Sequence, residues 1–372
     1  MGSRKRPIRP DPDWKRRQEE DKRIIIDRLN DRVEDLAERL LPEGRREGHD
    51  WRAGSSGGQS IRLTGPKRGV YTDFRQSDKG TDLLGAIQHI LCNGSFREAI
   101  SWARGYLGMD SMTDQERELE AKRAEERREQ QERQAEELDA KRRRQASGVW
   151  HSAKPIKGTM AETYLQGRAI DLDRLARVPG ALRFSSEVWC RERKGEYPAM
   201  VASLWRLGDP HLVATHRTYL ARSSDGRVIK APIEAARSTL GSWPGAIIPI
   251  QRGESDARWK DIEEGDLVAF GEGIEEGLSV ALVKPDWRVG AVGYSGNFAR
   301  IELPVWCHVM LCVNNDPPGS KAHAEIYGDP ETGRAGAIEA LTNKGHVVRA
   351  LRPPAEFADW NDLLQGKTRG RH

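Results

Sequence analysis

Apolar residues at helical spacing open the chain. Ile25, Leu29, Val33, Leu36 and Leu40 line one stripe of a mixed-charge segment, which predicts an amphipathic helix running to about residue 41. The basic, proline-containing stretch ahead of it, residues 1 to about 13, lacks that period and predicts disorder. From Gly48 to Gly108 the period shortens. Trp51, residues 61–63 and residues 70–74 read as short strands between glycine turns, and residues 81–91 and 95–107 read as two helices. Residues 114–144 then carry 21 charged side chains out of 31, with pairs such as Glu118/Lys122 and Glu137/Lys141 one helical turn apart. No apolar heptad seam accompanies them, so the segment predicts a solvated single helix, about 46 Å long, that spaces two modules.

The pattern changes again after Trp150. A helix over 161–167 precedes strand-rich sequence at 181–184, 199–207 and 211–220, with turns at Gly208-Asp-Pro and Ser224-Asp-Gly that predict antiparallel pairing. Beyond Gly265 strands and helices alternate: strand 266–271, helix 273–284, strand 288–293, a short helix, strand 307–313, helix 333–344, strand 346–351 and a last short helix from Asp359. Alternation of this kind predicts a small parallel α/β domain. The expected fold class is therefore multidomain, α/β together with α+β.

Composition narrows the setting. Of 372 residues 37% are apolar and 32% charged, without an 18-residue apolar run or a signal-peptide core, so a cytoplasmic protein with no membrane partner is expected. Cys92, Cys190, Cys307 and Cys312 contain no C-x-x-C pair and read as reduced structural thiols. A net charge of +4 permits nucleic-acid binding without requiring it.

The chemistry concentrates at two strand ends. Leu267-Val-Ala-Phe-Gly-Glu-Gly-Ile-Glu-Glu-Gly and Val309-Met-Leu-Cys-Val-Asn-Asn-Asp-Pro-Pro-Gly each run from an apolar strand into acidic or amide side chains and glycine. Ligands of open α/β sheets bind at that carboxyl edge. Parallel strands bring Glu272 and Asp316 over one crevice, a carboxylate pair suited to Mg²⁺ held together with substrate phosphates, and so to phosphoryl transfer. Gly273 and Gly277 allow a phosphate near a helix start, and Ser295 and Asn297 follow the next strand at the same edge.

Glu272-Gly-Ile-Glu-Glu-Gly followed by Asn314-Asn-Asp316 resembles the Toprim domain shared by bacterial-type primases, topoisomerases and related nucleases. More narrowly, residues 161 to about 364 resemble the primase-like Toprim proteins of phages, plasmids and integrated mobile elements. Tyr164-Leu-Gln-Gly-Arg168, Pro198-Ala-Met200, His216-Arg-Thr-Tyr-Leu220 with Lys230, and Asp359-Trp-Asn-Asp-Leu-Leu364 belong to the same pattern. The resemblance implies that Glu272 acts as general base or metal ligand and that Asp316 binds Mg²⁺ or Mn²⁺. Asn314 stands where the family has the first acid of Asp-x-Asp; its amide oxygen can coordinate, but without charge it binds a cation more weakly. Glu275, Asp359 and, less directly, Glu276 and Asp362 are further candidate carboxylates around the metal. Arg168, His216, Arg217 and Lys230 are implied as phosphate contacts for template and nucleotide.

On this reading residues 1–47 are a basic tail and helix, 48–110 a DNA-recognition unit resembling a zinc ribbon, 111–147 the helical linker, 148–264 the first part of a primase core and 265–372 the Toprim domain. Around Trp51 the chain has His49 but otherwise Asp50, Arg52, serines and glycines, with no thiolate cluster, so no zinc is expected. Arg62, Lys67, Arg68, Arg75 and Lys79, with Trp51, Tyr71 and Phe74 between them, predict either a face for single-stranded bases or a small aromatic core. The implied activity is synthesis of RNA primers on single-stranded DNA from ribonucleotides. With no Walker-type phosphate loop in the chain, a replicative helicase would act in trans. A Toprim nuclease and a non-catalytic DNA-binding replication module are the alternatives, the latter favoured by Asn314.

Overall fold

The computed structural model describes residues 14–54, 58–65, 67–74, 80–109, 114–330 and 332–369, and the chain divides into two compact units, Met1–Gln134 and Ala135–His372. The first 13 residues, expected to be disordered, and Arg75 and Lys79 of the expected basic face lie outside the described residues.

In the first unit the amphipathic segment forms two helices, α1 (Trp14–Asp31) and α2 (Val33–Leu40). Their stripe is buried as the spacing predicts, with Ile25, Leu29, Val33 and Leu36 fully covered. Strands β1 (Arg45–Glu47), β2 (Asp50–Ala53), β3 (Gln59–Arg62) and β4 (Tyr71–Asp73) form an antiparallel meander in sequence order. Helices α3 (Leu83–Ile90) and α4 (Phe96–Leu107) follow, begun by the side-chain caps Asp82 and Ser95. Ile25 and Leu36 share one core with Ile61, Leu84 and Ala99, so the boundary expected at residue 47 falls inside a packed unit. Tyr71 is buried and Trp51 donates its indole N–H to the Leu41 carbonyl at 3.0 Å, while Phe74 is 56% exposed. Two of the three aromatics thus serve the core. Arg62 is paired with Asp50 at 2.9 Å, and the His49 ring meets the Thr64 hydroxyl at 2.6 Å.

Helix α5 runs from Asp114 to Ser152, eight residues past its expected end, because its last turns carry apolar side chains: Ala146 is buried and Val149 and Trp150 pack on the second unit's core. In that unit come β5 (Lys154–Pro155), α6 (Met160–Gln166), β6 (Leu182–Cys190), β7 (Gly195–Leu204), β8 (Ala214–Arg222), β9 (Val228–Lys230) and β10 (Arg237–Gly241). They make an antiparallel sheet in the order β10-β8-β7-β6-β5, with β9 paired to β8.

A second sheet contains β11 (Ile248–Arg252), β12 (Leu267–Gly271), helix α7 (Ile274–Val283), β13 (Arg288–Ala291), β14 (His308–Cys312), α8 (Lys321–Tyr327), α9 (Ala337–Asn343), β15 (Val347–Leu351) and α10 (Trp360–Gln365). Its order is β11-β13-β12-β14-β15. The four strands after residue 265 are parallel, as their alternation with helices predicts, and β11 adds to β13 antiparallel. The expected boundary at 264/265 is therefore one strand too late. Met200 and Leu220 of the first sheet also share a core with Ala269 and Leu278 of the second, so the two expected parts are one packed body. Helix α8, unforeseen, starts at a Ser320 cap just beyond the Pro-Pro-Gly turn. The four cysteines are free and buried. No helix among the described residues is long and apolar enough to cross a membrane.

Candidate carboxylate site

Register brings the two strand ends level. Gly271 lies opposite Cys312 on one side and Ala291 on the other, so Glu272 emerges between the loop of Gly293 to Ser295 and the loop that carries Asn314 and Asp316. The Gly293 N–H donates to the Glu272 carbonyl at 2.7 Å, and the Ser295 N–H donates to its carboxylate. Burial, and then the nearby Asp316 charge, hold the Glu272 carboxyl above its ordinary range against the opposing field of Arg237. Two acids repelling one another at a half-buried sheet edge form a site with excess negative charge. The Asn314 Oδ1 is a buried acceptor with no hydrogen-bond partner.

These hard oxygens suit Mg²⁺ or Mn²⁺. Among the described residues no three His, Cys, Asp or Glu side chains stand close enough to cage an ion. Mg²⁺ needs no such cage, since it keeps several waters and takes one or two carboxylates together with phosphate oxygens.

The other candidates sort by what they touch. Glu275 is 5% exposed and sits inward, with its Oε1 2.7 Å from Lys230 Nζ and 2.6 Å from the Tyr164 hydroxyl. Burial alone would raise its pKa, but the Lys230 charge and these hydrogen bonds hold it down to about 2. Glu275 and Lys230, expected at the metal and at phosphate, are therefore paired with each other. The His216 ring is buried against the Thr239 hydroxyl at 3.2 Å, and burial and neighbouring cations push its pKa down to about 4. It is neutral near pH 7 and lacks the charge expected of a phosphate contact. Strand alternation sends Arg217 to the opposite face, where it reaches the Trp189 carbonyl at 3.4 Å and the Tyr219 ring.

Asn297 is fully buried and saturated: it accepts from the Gly245 N–H and donates to the Ala246 and Val292 carbonyls. This leaves it no group for a nucleotide. The Gly273 N–H is taken by the Glu276 carboxylate, which closes the first turn of α7. At Gly277 a Cβ would stand 2.5 Å from Ile250 Cδ1, so this glycine permits close packing of helix on sheet rather than phosphate approach. Asp359, expected near the metal, caps α10, its Oδ1 accepting from the Asp362 N–H at 2.7 Å. Burial, then the charges of Glu275, Glu272 and, more weakly, Asp359, push Glu276 up to about 8. Arg168 places its guanidinium where its charge acts on Tyr164 and Asp362, and its carbonyl accepts from Asn361.

Three contributors escaped the sequence. Arg237, exposed at the start of β10, throws its charge on Glu272, Tyr164 and His216 from the neighbouring sheet, and nothing in its local pattern marks it. Asn361, fully buried, donates to the Arg168 carbonyl and the Ser279 hydroxyl, both at 3.0 Å, locking α10 to α7. Asn315 donates to the carbonyls of Pro353, Pro354 and Phe357 and fixes the loop that carries Asp316.

A family described as a domain of unknown function (DUF7146) matches residues 140–250, the end of α5 and the antiparallel sheet. No curated protein matches the chain. Two solved structures are similar to it: the zinc-binding and RNA polymerase domains of the Aquifex aeolicus primase, and the primase fragment of the bacteriophage T7 primase-helicase protein. The first is 12% identical with a TM-score of 0.37, covering 92% of this chain and 82% of the other. The second is 17% identical with a TM-score of 0.30, covering 58% and 69%.

Proposed function

We propose that the chain is a primase-like nucleotidyltransferase that joins ribonucleoside triphosphates on single-stranded DNA with Mg²⁺ or Mn²⁺. The observation that carries this reading is the convergence of Glu272 and Asp316, from two adjacent parallel strands, into a site whose acids repel each other and whose Glu272 feels the opposing charge of Arg237. Glu272, Asp316 and the Asn314 amide oxygen would hold the metal, which neutralises phosphate charge and activates the attacking hydroxyl when bound. The Ser295 N–H orients the Glu272 carboxylate, which acts either as a metal ligand or as the general base that takes the 3′-hydroxyl proton. Arg237, exposed and within electrostatic reach of Glu272, would meet a triphosphate. His216, neutral and buried, shapes the wall behind it.

The amide at 314 favours a second reading, a DNA-binding module with a weakened metal site. One assay separates them: labelled ribonucleotides, single-stranded DNA and Mg²⁺ or Mn²⁺. Primers that vanish in Glu272→Gln support the proposal. Nicking of the DNA would replace it with a nuclease, and binding without chemistry with the module.

A further inference from the structure

A second cleft, of about 770 Å³, lies in the same unit and shares no lining residue with the carboxylate site. Edge strand β11 forms one wall; residues 176–181, the β7–β8 turn and residues 256–260 form the others. Its size falls in the range of small-molecule sites, roughly 300–1,000 Å³.

Three half-buried tryptophans line it, each held in place by neighbouring groups. The Trp150 ring is covered on one face by the Arg183 guanidinium at 3.7 Å and donates its N–H to the Ala181 carbonyl. Trp205 donates to the Ser203 hydroxyl at 2.9 Å, and Trp259 rests near Arg288 and Phe270. Fixed aromatic faces lose little entropy when a planar ligand stacks on them.

The lining has five cationic side chains and two aspartates. Both acids are already neutralised, Asp209 by Arg143 at 2.7 Å and Asp256 by Arg177 at 2.9 Å. Arg258 is itself paired with Asp261 at 2.8 Å, so exposed Lys260 and half-buried Arg206, whose guanidinium bonds the Pro244 and Ser242 carbonyls and the Ser242 hydroxyl, leave the field positive. Two lining residues also hold buried polar atoms with no partner: the Trp259 Nε1–H donor and the Gln251 Oε1 acceptor. Gln251 is 8% exposed, and its Nε2 donates to the carbonyls of Lys284, Pro285 and Trp287, so the amide cannot turn to relieve its oxygen. Buried groups of this kind are ordinarily paired.

We infer that this cleft binds a nucleotide. Its base stacks on the tryptophans and its edge supplies an acceptor to Trp259 and a donor to Gln251, while its phosphates meet Lys260. A mononucleotide is favoured over a strand because walls on several sides bound the space.

Isothermal titration of the full chain with ATP, GTP, CTP and UTP, in EDTA to silence any metal-dependent site, tests this. One nucleotide or more should bind saturably at one per chain. Lys260→Glu, at an exposed position that does not threaten folding, should weaken it tenfold or more, and Glu272→Gln should leave it unchanged. No saturable binding, affinity indifferent to the charge reversal, or loss in Glu272→Gln would each overturn the assignment. A single-stranded oligonucleotide that binds while all four mononucleotides stay inert would overturn it too, in favour of a strand.

Discussion

Lys230 Nζ stands 2.7 Å from Glu275 Oε1, joining the antiparallel sheet to the first turn of α7 three residues beyond Glu272. The Tyr164 hydroxyl completes the contact from α6 at 2.6 Å. A carboxylate this covered is tolerated only because a cation and a donor compensate its lost hydration. The position of the candidate general base is thereby tied to residues of the other sheet.

Removing the cation leaves that charge buried and unpaired. Lys230→Met should destabilise the second unit by about 3 kcal/mol at pH 7. The pH dependence should also change sign. With Lys230 present, Glu275 titrates below its unfolded value, so it contributes stability that is present above pH 4.5 and lost as pH falls toward about 2. In Lys230→Met, burial dominates and its pKa rises above that of the unfolded chain, so this contribution declines as pH increases. Urea midpoints across pH 3–8 check it; parallel profiles for parent and variant would show that the pair carries no coupling.

Arg288 begins β13 with no exposure, its guanidinium 2.6 Å from Asp266 and donating to Ser255 Oγ and the Ala257 carbonyl. Arg288→Met should cost about 3–5 kcal/mol by stranding the Asp266 carboxylate, and adding Asp266→Asn should recover part of that loss. A double-mutant cycle from urea unfolding reads the coupling. If the second substitution deepens the loss, the pair contributes through something other than charge.

What was legible in the sequence is what short-range physics decides. The apolar stripe from Ile25 to Leu40 and the alternation beyond residue 265 each imply burial on a known side, and the strand ends place Glu272 and Asp316 on one edge whatever surrounds them. Long-range pairing decides the rest. Nothing near Lys230 or Glu275 in sequence says that they meet, and a histidine on a strand reads alike whether exposed and charged or, as at 216, buried and neutral. β11 was missed as part of the parallel sheet because it joins antiparallel across an intervening loop. The saturated amide of Asn297 resembles a ligand contact in sequence for the same reason that it holds loops well: an amide serves either purpose.

Glu276 folds back on the Gly273 N–H within a cluster of acids, and its pKa stands at about 8. A folded-state value above the unfolded one favours the native state fully only below about pH 4.5, and that advantage fades as pH rises through 8. Glu276→Gln keeps an acceptor for Gly273 while removing the charge. It should raise the melting temperature at pH 8.5 by about 2–4 °C, and by less at pH 5. An equal shift at both pH values would mean that charge is not the cause.

Asn314 offers the sharpest test of the metal. Its Oδ1 is buried without a partner on the loop that carries Asp316, so a carboxylate at this position adds charge at nearly constant shape. Without divalent ions Asn314→Asp should lower the melting temperature and raise the pKa of Glu272 further, since a third acid joins a mutually repelling pair. With Mg²⁺ the sign should reverse: affinity should rise roughly tenfold, worth about 1.4 kcal/mol, and any nucleotidyl transfer should reach half-maximum at correspondingly lower Mg²⁺. Calorimetric titration of parent and variant with Mg²⁺ measures the first effect and primer synthesis the second. Affinity that is unchanged or weaker in the variant would mean that residue 314 does not face the ion, leaving Glu272 and Asp316 to hold it with water and phosphate alone.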